Sequence, residues 1–257
     1  MFDDSELPQL FDLLIQVTTR AGESLRELGR SGMTEHSFDK VLSREVKAEA
    51  DRIVEYQILD ELRETGLPIL SEETGSINSS NDSDYLLLID PIDGTANFTR
   101  GCAEASVSVG LYKKNDPVFG VLSIYPSGEL AWGGPELGAF IDGNPLKVSS
   151  QSKKSKAVFC TGIPARFDIS DASQKNWLNK HFVNFGKVRM LGAASISLLR
   201  VAQGSVDAYS EREIMLWDVA AGLAIVLGAG GVVQTELATG PWGRNVVASN
   251  GHLELIP

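Results

Sequence analysis

The first part of the chain carries two stretches in which apolar residues recur at helical spacing. The residues that share one helical face in the first stretch are Leu10, Leu13, Leu14, Val17 and Ala21. Pro8 suits the first turn of such a helix, and Gly29 stands where it would end. The second stretch predicts a helix over about residues 48–64 that ends at Gly66. The chain is therefore expected to open with two amphipathic helices.

The middle of the chain is patterned as strands. The strands predicted there cover residues 68–70, 85–89, 105–111 and 118–125. Residues 85–89 form a continuous apolar run, which is typical of a strand covered on both faces. The run 105–111 alternates small polar and apolar residues, and turn residues at 126–128 and 142–144 indicate further hairpins. Residues 75–83 are rich in Ser, Asn and Asp and predict a loop. We therefore expect an antiparallel meander after this loop.

Predicted strands and helices alternate in the last hundred residues. The strands cover about 157–161, 188–191 and 206–209, and the helices cover about 172–182, 193–201 and 219–227. No internal repeat and no linker marks a domain boundary. We therefore expect one domain over residues 1–257 with a mixed, layered α/β architecture. Its N-terminal α+β part would cover about 1–148 and its C-terminal α/β part about 149–257.

The charge balance of the chain limits its partners. The sequence has 34 acidic and 23 basic residues, which gives a formal net charge of −11. A protein of this charge repels nucleic acid and anionic membrane surfaces, so neither is expected as a partner. If such an acidic protein handles a phosphate group, a positive group must offset its carboxylates. Bound divalent metal would supply that charge.

Two cysteines, Cys102 and Cys160, bear on the compartment of the protein. Their spacing fits neither a zinc site nor a redox pair, and their small or apolar neighbours predict two buried free thiols. The acidic residues 1–6 lack the basic region of a signal peptide, and no apolar run reaches membrane-spanning length. These features favour the cytoplasm.

Residues 90–95, Asp-Pro-Ile-Asp-Gly-Thr, are the sharpest chemical feature of the sequence. Two carboxylates three positions apart follow a predicted buried strand, and such a pair can bridge two divalent metals for phosphoryl transfer. An isolated motif of this kind also fits a turn in which Asp caps a helix and Gly supplies the bend. An EF-hand loop is excluded because its twelfth position would be Gly101. The haloacid-dehalogenase phosphatases have one residue between the two acids, where this chain has two.

Two further acidic elements stand at predicted element boundaries. Residues 71–73, Ser-Glu-Glu, follow the short strand at 68–70, and alone they would be a solvated acidic pair. Residues 216–222, Leu-Trp-Asp-Val-Ala-Ala-Gly, place Asp218 at the start of a predicted helix, where an aspartate is a common N-cap. Neither element is specific by itself.

Together the three elements resemble the inositol monophosphatase family, a branch of the lithium-sensitive, magnesium-dependent phosphatase superfamily. Residues 90–98 match its signature Asp-Pro-[Ile/Leu]-Asp-Gly-Thr-x-Asn-Phe, and residues 217–222 match Trp-Asp-x-Ala-[Ala/Gly]-Gly. Ser71 replaces the first residue of the family's Gly-Glu-Glu. The resemblance runs from about residue 46 to 250, and it implies a layered α-β-α-β-α sandwich of the inositol monophosphatase and fructose-1,6-bisphosphatase type.

The resemblance implies a set of metal ligands. Glu72, Asp90 and the carbonyl of Ile92 would hold a first Mg²⁺, and Asp90, Asp93 and Asp218 a second. Glu72 would also help to hold a weaker third ion. Mn²⁺ is a possible substitute, and Li⁺ or Ca²⁺ would inhibit.

The resemblance also implies how water would be activated. Asp51 and Thr95 would orient the attacking water, with Glu72 nearby. The family's Val-Thr-x-x-Asp reads Lys-Ala-Glu-Ala-Asp at residues 47–51, so a threonine is missing beside Asp51.

On the substrate side, the resemblance implies that Glu211 binds a substrate hydroxyl. Gly192, Ala193 and Ala194 match the Gly-x-Ala segment that lines the same pocket, with Ala193 in place of the common Thr or Ser. Gly94 and Thr95, with Asp93 beside them, would bind the phosphate through backbone N–H groups.

The implied activity is hydrolysis of a small phosphate monoester by metal-activated water, without a covalent phosphoenzyme. Three substrate classes stay open: myo-inositol monophosphate or a similar sugar or polyol phosphate, a 3′(2′),5′-bisphosphate nucleotide, and fructose 1,6-bisphosphate. Asn97, Phe98 and Glu211 favour the first. An inactive relative that serves as a binding module is the non-enzyme alternative. The family resemblance also implies a homodimer.

Overall fold

The computed structural model describes residues 4–38, 46–78, 83–253 and 255. Its α-helices are α1 (Leu7–Arg30), α2 (Glu49–Leu62), α3 (Thr95–Arg100), α4 (Ala172–Asn184), α5 (Ala194–Ala202) and α6 (Leu216–Gly228). Short 3-10 turns lie at Asp4–Glu6, Arg63–Thr65 and Lys154–Lys156. No helix in these described residues has the length and apolar character needed to cross a lipid bilayer.

The strands of the described residues fall into three sheets. The first seven are β1 (His36–Phe38), β2 (Val46–Ala48), β3 (Ile69–Ser71), β4 (Gly75–Ile77), β5 (Tyr85–Asp93), β6 (Ala105–Lys113) and β7 (Asp116–Tyr125). The others are β8 (Leu130–Gly134), β9 (Gly138–Ile141), β10 (Asn144–Pro145), β11 (Val158–Cys160), β12 (Lys187–Arg189), β13 (Ala208–Met215), β14 (Val232–Leu237) and β15 (Gly243–Ser249). Strands β1 and β2 pair only with each other.

The large sheet has eight strands in the order β10-β9-β8-β7-β6-β5-β3-β4. Its pairs are antiparallel, as the hairpin pattern predicts, except that β3 runs parallel to β5. The smaller sheet has the order β12-β11-β13-β15-β14, in which β11 is parallel to both of its neighbours. The parallel β3–β5 pair matters for function because it brings the carboxyl ends of two separate strands to the same edge.

Side-chain alternation along β5 explains why both faces of the large sheet are covered. Leu87 and Ile89 join a core with helices α1 and α2, whereas Leu88 joins a second core with α5 and α6. Helix α6 lies between the two sheets and is apolar on nearly all sides, as a helix in such a position must be. Gly120 permits this packing, because a Cβ there would lie 2.2 Å from the Ala221 carbonyl oxygen.

Helix α4 covers the outer face of the smaller sheet. Phe159 of β11 stacks on His181 and Phe185, with ring centroids 4.7 and 4.6 Å apart. The order of layers is therefore helix, sheet, helix, sheet, helix. This confirms the mixed α/β, α-β-α-β-α architecture that the family resemblance implies.

Several sequence-based expectations need correction. The fifth strand continues past Asp90 to Asp93, and part of the predicted loop 75–83 is strand β4. The sequence pattern gave no sign of β14, whose residues are mostly exposed and therefore do not alternate clearly. Cys160 is buried as expected, but Cys102 is exposed because it lies in the turn that follows helix α3.

Candidate active site

A cavity of about 420 Å³ opens where strands β5 and β13 meet the first turns of helices α3, α5 and α6. The predicted site residues that line it are Glu72, Asp90, Ile92, Asp93, Gly94, Thr95, Gly192, Ala193, Ala194, Glu211 and Asp218. Asp51 does not line the cavity, but it contacts Thr95. Residues that lie up to 146 positions apart, from Glu72 to Asp218, are thus brought to one cavity.

A β-bulge positions the two aspartates of the first motif. Asp90 pairs with Ser108 and Asp93 with Ser106, so β5 has one residue more than β6 between the two pairs. Pro91 lies in this bulge, where its missing N–H does not interrupt the ladder. Both carboxylates are buried, with 2% and 7% of their residues' surface exposed.

Glu72 reaches Asp90 because β3 is parallel to β5. The Glu72 N–H donates to the Ile89 carbonyl at 3.1 Å, and the two carboxyl groups share a hydrogen bond. Burial raises the pKa of Glu72 to about 8, and the hydrogen bond with Asp90 opposes that shift. Burial, followed by the charge of Glu72, holds the pKa of Asp90 well above its usual range. A shared proton is therefore expected in the metal-free protein.

Asp93 is held by the first turn of α5. Its carboxylate accepts the backbone N–H of Ser195 at 2.7 Å and that of Ala194 at 3.3 Å, and it also accepts the Ser195 hydroxyl. Ser106 lies 2.7 Å from the Ser195 hydroxyl on its other side. Burial raises the pKa of Asp93 to about 6, and the bonds from Ser195 oppose the shift.

Asp218 enters the cavity from the first turn of α6. Its carboxylate, at the third position of the helix, accepts the backbone N–H of the N-cap residue Met215 at 3.4 Å. Burial raises the pKa of Asp218 well above its usual range, and the charges of Glu72 and Asp93 add to that effect. Asp218 is therefore not the N-cap that the sequence predicts, because α6 begins at Leu216 and Met215 is its N-cap. From the third position of the helix, its carboxylate still bonds the helix start and faces the cavity.

Asp51 and Thr95 form a buried pair behind the cavity wall. Asp51 accepts the Ala48 N–H at 2.8 Å, and the Thr95 hydroxyl lies 3.1 Å from the Asp51 carboxylate. The same hydroxyl lies 3.0 Å from the Ile92 carbonyl oxygen. A hydroxyl has one proton, so it donates to one of these acceptors at a time. Burial raises the pKa of Asp51 to about 7.

The opposite wall of the cavity carries Glu211. Burial raises its pKa to about 8, and the charge of Asp93 adds to the shift. Gly162 packs directly on this carboxylate, because a Cβ there would lie 2.2 Å from Glu211 Oε1. Gly94 (φ 89°) is similarly close to Ala193, whose Cβ would lie 3.0 Å from a Cβ at Gly94.

The donor set fits hard divalent cations. Within the described residues, no three Asp, Glu, His or Cys side chains form a group that could hold a metal ion as they stand. As the side chains stand, Glu72 and Asp90 bond each other and Asp93 is engaged by Ser195. Carboxylate oxygens are nevertheless the ligands that Mg²⁺ prefers, and a cation would relieve the repulsion that raises these pKa values.

Three side chains at or near the site were missed by sequence analysis. The carboxylate of Glu55 accepts four hydrogen bonds, from the Ser71 and Thr74 hydroxyls and the backbone N–H groups of Glu73 and Thr74. A glutamate on the apolar face of predicted helix 48–64 was the available signal. Ser195 had no distinguishing pattern. Arg166, in the loop between β11 and α4, is the cationic residue among the described lining of the cavity.

Comparison with known proteins agrees with this arrangement. The model of the inositol monophosphatase family matches residues 6–254. An inositol-1-monophosphatase from Synechocystis is 32% identical over 99% of this chain and 90% of its own length. A fructose-1,6-bisphosphatase/inositol-1-monophosphatase from Aquifex aeolicus is 35% identical over 71% of this chain and 68% of its own.

A solved structure of inositol monophosphatase from Anabaena (Nostoc) superimposes with a TM-score of 0.81. It is 31% identical in sequence, and the match covers 96% of this chain and 92% of that one. Fold and site therefore define a phosphatase, an enzyme that hydrolyses phosphoric monoesters. The chain belongs to the inositol monophosphatase family.

Proposed function

We propose that this protein is a Mg²⁺-dependent phosphomonoesterase that acts on myo-inositol monophosphate or a similar sugar or polyol phosphate. The observation that supports this most directly is the convergence of Glu72, Asp90, Asp93 and Asp218 on one cavity with Glu211 on its far wall. Four carboxylates in one cavity favour the binding of cations, and in this proposal Glu211 selects a substrate that bears a hydroxyl group.

In this proposal the metal ligands are Glu72, Asp90, Asp93, Asp218 and the carbonyl of Ile92. Bound Mg²⁺ would neutralise charge on the phosphoryl oxygens and lower the pKa of a water. If the Thr95 hydroxyl donates to Asp51 and not to the Ile92 carbonyl, that carbonyl would be free to hold a metal ion, and Thr95 would be oriented toward the attacking water. Gly94 and Thr95 supply backbone N–H groups to the phosphate at the start of α3.

Glu211 determines substrate orientation in this proposal. A carboxylate that accepts a hydrogen bond from a polyol hydroxyl fixes which phosphate ester enters the chemistry. Ala193 has no side-chain hydroxyl, where the family resemblance implies Thr or Ser, so in this proposal the hydroxyl contact depends on Glu211.

A second candidate activity, hydrolysis of fructose 1,6-bisphosphate, is favoured by Arg166. This cation lines a cavity whose other charged residues are the acids Glu72, Asp90, Asp93, Glu211, Glu213 and Asp218. A substrate with a second phosphate would use a guanidinium that a monophosphate leaves in water. The Aquifex aeolicus relative bears both activities in its name.

The test is a phosphate-release screen after EDTA treatment, with and without added Mg²⁺. Its substrates are inositol 1-phosphate, fructose 1,6-bisphosphate and adenosine 3′,5′-bisphosphate. We expect Mg²⁺-dependent release that is fastest with inositol 1-phosphate, and inhibition by Li⁺. Arg166→Met should slow fructose 1,6-bisphosphate hydrolysis alone if that activity is present. Release in the absence of any metal would contradict the proposal, and no release at all would favour a binding module.

We extend the proposal to a homodimer in the cytoplasm, following the family resemblance. Light scattering on the purified chain would measure the mass directly. A mass equal to the 27.7 kDa of one chain would contradict the dimer.

A further inference from the structure

A second cavity, of about 650 Å³, lies at the other end of the space between the two sheets. Its walls come from β3, β4 and β5, the β6–β7 turn, the first residue of α6, and strands β14 and β15. None of its described lining residues lines the candidate active site. Its volume falls within the range typical of small-molecule sites. Nothing in the proposed reaction uses it.

Tyr112 supplies the first sign that this cavity is built for a ligand. The residue is 3% exposed and lines the cavity, and its hydroxyl has no hydrogen-bond partner among the described residues. A buried hydroxyl without a partner is costly, so a group in the cavity is expected to bond it. Burial also raises the pKa of Tyr112, so its hydroxyl stays protonated and able to donate.

Arg244 supplies the second sign. One nitrogen of its guanidinium, Nη1, donates to the Pro241 and Gly243 carbonyls at 3.0 and 2.8 Å, which fixes the side chain at the cavity wall. No ion pair within the described residues includes Arg244. Its positive charge lowers the pKa of Tyr112, so the two groups are close enough to act on one ligand.

The other charges of the cavity have partners. Lys114 Nζ lies 3.7 Å from Asp84 Oδ2. Glu236 acts on Arg212, whose pKa it raises against the effect of burial. The cavity is lined by two acids, Asp84 and Glu236, and two bases, Lys114 and Arg244. Because the other three interact with charged partners, the guanidinium of Arg244 is the charge available to a ligand.

The remaining lining residues of this cavity are mostly apolar and suit the aromatic or hydrocarbon part of a ligand. The larger apolar residues are Ile69, Leu70, Ile77, Leu86, Leu216, Leu237 and Trp242. A pocket with an apolar lining and a few convergent polar groups is the usual form of a small-molecule site. Trp242 also offers an aromatic surface on which a ring of the ligand can pack.

We propose that this cavity binds a small organic anion with an aromatic body, whose carboxylate, sulfonate or phosphate group contacts Arg244 and the Tyr112 hydroxyl. The site is distinct from the candidate active site but adjoins the segments that carry it. Leu70 stands two residues before Glu72, and Leu216 two residues before Asp218. A ligand here therefore contacts both segments that supply proposed metal ligands.

The test uses 8-anilinonaphthalene-1-sulfonate as the probe and the full chain without substrate, so it does not depend on phosphatase activity. Fluorescence titration should give one saturable site per chain. We expect Arg244→Met to weaken binding about tenfold or more and Tyr112→Phe to weaken it severalfold. Arg244→Lys, which keeps the charge, should retain most of the affinity. Arg20→Met removes an exposed arginine of α1 and should bind as wild type does.

Two further measurements make the outcome decisive. N-phenyl-1-naphthylamine has the same rings without the sulfonate and should bind about tenfold more weakly than the probe. Thr235→Trp places a large side chain at the cavity wall and should abolish binding, while a thermal melt verifies its fold. Equal affinity in wild type, Arg244→Met and Tyr112→Phe would overturn the proposal. The absence of saturable binding would overturn it as well.

Discussion

The carboxylate of Glu55 holds Thr74 at two points. The Thr74 N–H donates to Glu55 Oε1 at 3.0 Å, and the Thr74 hydroxyl donates to Oε2 at 2.6 Å. The same Oε1 accepts the Glu73 N–H at 3.1 Å, so the turn that carries Glu72 is fixed to helix α2 from both sides. Glu55 is therefore a positioning residue, since it acts on the site through the turn.

Glu55→Ala should loosen this turn. Partly buried N–H groups would lose their acceptor, which costs about 1–3 kcal/mol of unfolding free energy. We expect kcat to fall more than tenfold and the Mg²⁺ concentration for half-maximal activity to rise. Glu55→Gln keeps an acceptor for the N–H groups and should recover most of the loss. Glu61→Gln, on the exposed part of the same helix, is the control. Unchanged Mg²⁺ dependence in Glu55→Ala would contradict the positioning role.

Ser195→Ala tests how Asp93 is oriented. The Ser195 hydroxyl donates to Asp93 and can accept from Ser106, so its loss removes one of the three bonds that fix the carboxylate. We expect a severalfold rise in the Mg²⁺ requirement and a stability loss of about 1 kcal/mol. Ser197→Ala is the matched control, because the Ser197 hydroxyl bonds the Ala193 carbonyl at 2.9 Å and the Cys160 side chain, neither of which is a proposed metal ligand. Equal Mg²⁺ titrations for the two variants would exclude this role for Ser195.

Gly162→Ala tests the substrate role of Glu211. The new methyl group would occupy space within 2.2 Å of the Glu211 carboxylate, which must then move. Hydrolysis of inositol 1-phosphate should fall about tenfold or more, whereas p-nitrophenyl phosphate, which lacks the hydroxyl, should be affected much less. Glu211→Gln should show the same pattern. Equal losses on both substrates would place Glu211 outside the substrate contact.

The sequence predicts those parts of the site that lie within one short segment, and it does not predict contacts between segments that are far apart in the chain. The motif residues were found because carboxylates at fixed spacing are visible in one short segment, as in residues 90–95. Ser195 and Gly162 were not found, since their importance arises only when separate elements pack together. Gly162 resembles any turn glycine until Glu211 of another strand is placed against it.

The fold divides in the same way. The apolar run in β5 and the alternation in β6 predicted their strands, because burial there follows directly from the side-chain period. Strand β14 was missed because five of its six residues are exposed, so it lacks a buried face that the sequence pattern could reveal. Backbone pairing with β15 stabilises it instead. Thr95 shows the limit most clearly: its motif position was predicted, but its contact with Asp51, 44 residues away, was a matter of resemblance and not of pattern.

His181 should make stability depend on pH. Burial lowers the pKa of this histidine below its unfolded value, and it stacks on Phe159 while bonding the Trp177 carbonyl at 2.8 Å. The unfolded chain then binds more protons, so this stabilisation is full above the unfolded pKa of about 6.5 and is lost as pH falls below it. Between pH 7.5 and pH 5.5, wild type should lose more unfolding free energy than His181→Phe. His252→Gln, which removes an exposed histidine, is the control, and parallel losses in wild type and His181→Phe would contradict this.

Asp218→Asn separates the stability of the fold from its function. Asp218 lies with Glu72, Asp90 and Asp93 in one cavity, where burial and mutual repulsion raise their pKa values. Removing one carboxylate relieves that crowding, and the amide oxygen of Asn can still accept the Met215 N–H at the helix start. We therefore expect Asp218→Asn to melt at a higher temperature than wild type in EDTA.

Added Mg²⁺ should raise the melting temperature of Asp218→Asn less than that of wild type. A ligand that binds only the folded state stabilises it by RT ln(1 + [L]/Kd), so a weakened site yields a smaller gain in melting temperature. Asp218→Asn should therefore gain less than wild type from Mg²⁺, and its phosphatase activity should fall by about two orders of magnitude or more, as expected when a strong ligand to the catalytic metal is lost.

Asp207→Asn provides the matched control for this experiment. Asp207 is a buried aspartate away from the cavity that accepts the Val158 N–H at 2.7 Å and the Ser149 hydroxyl. Its loss should lower the melting temperature in EDTA and leave the gain from Mg²⁺ unchanged, because no metal ligand is altered. If Asp218→Asn instead behaves like Asp207→Asn in both melts, Asp218 is chiefly structural. Wild-type turnover in Asp218→Asn would show that it is not a metal ligand.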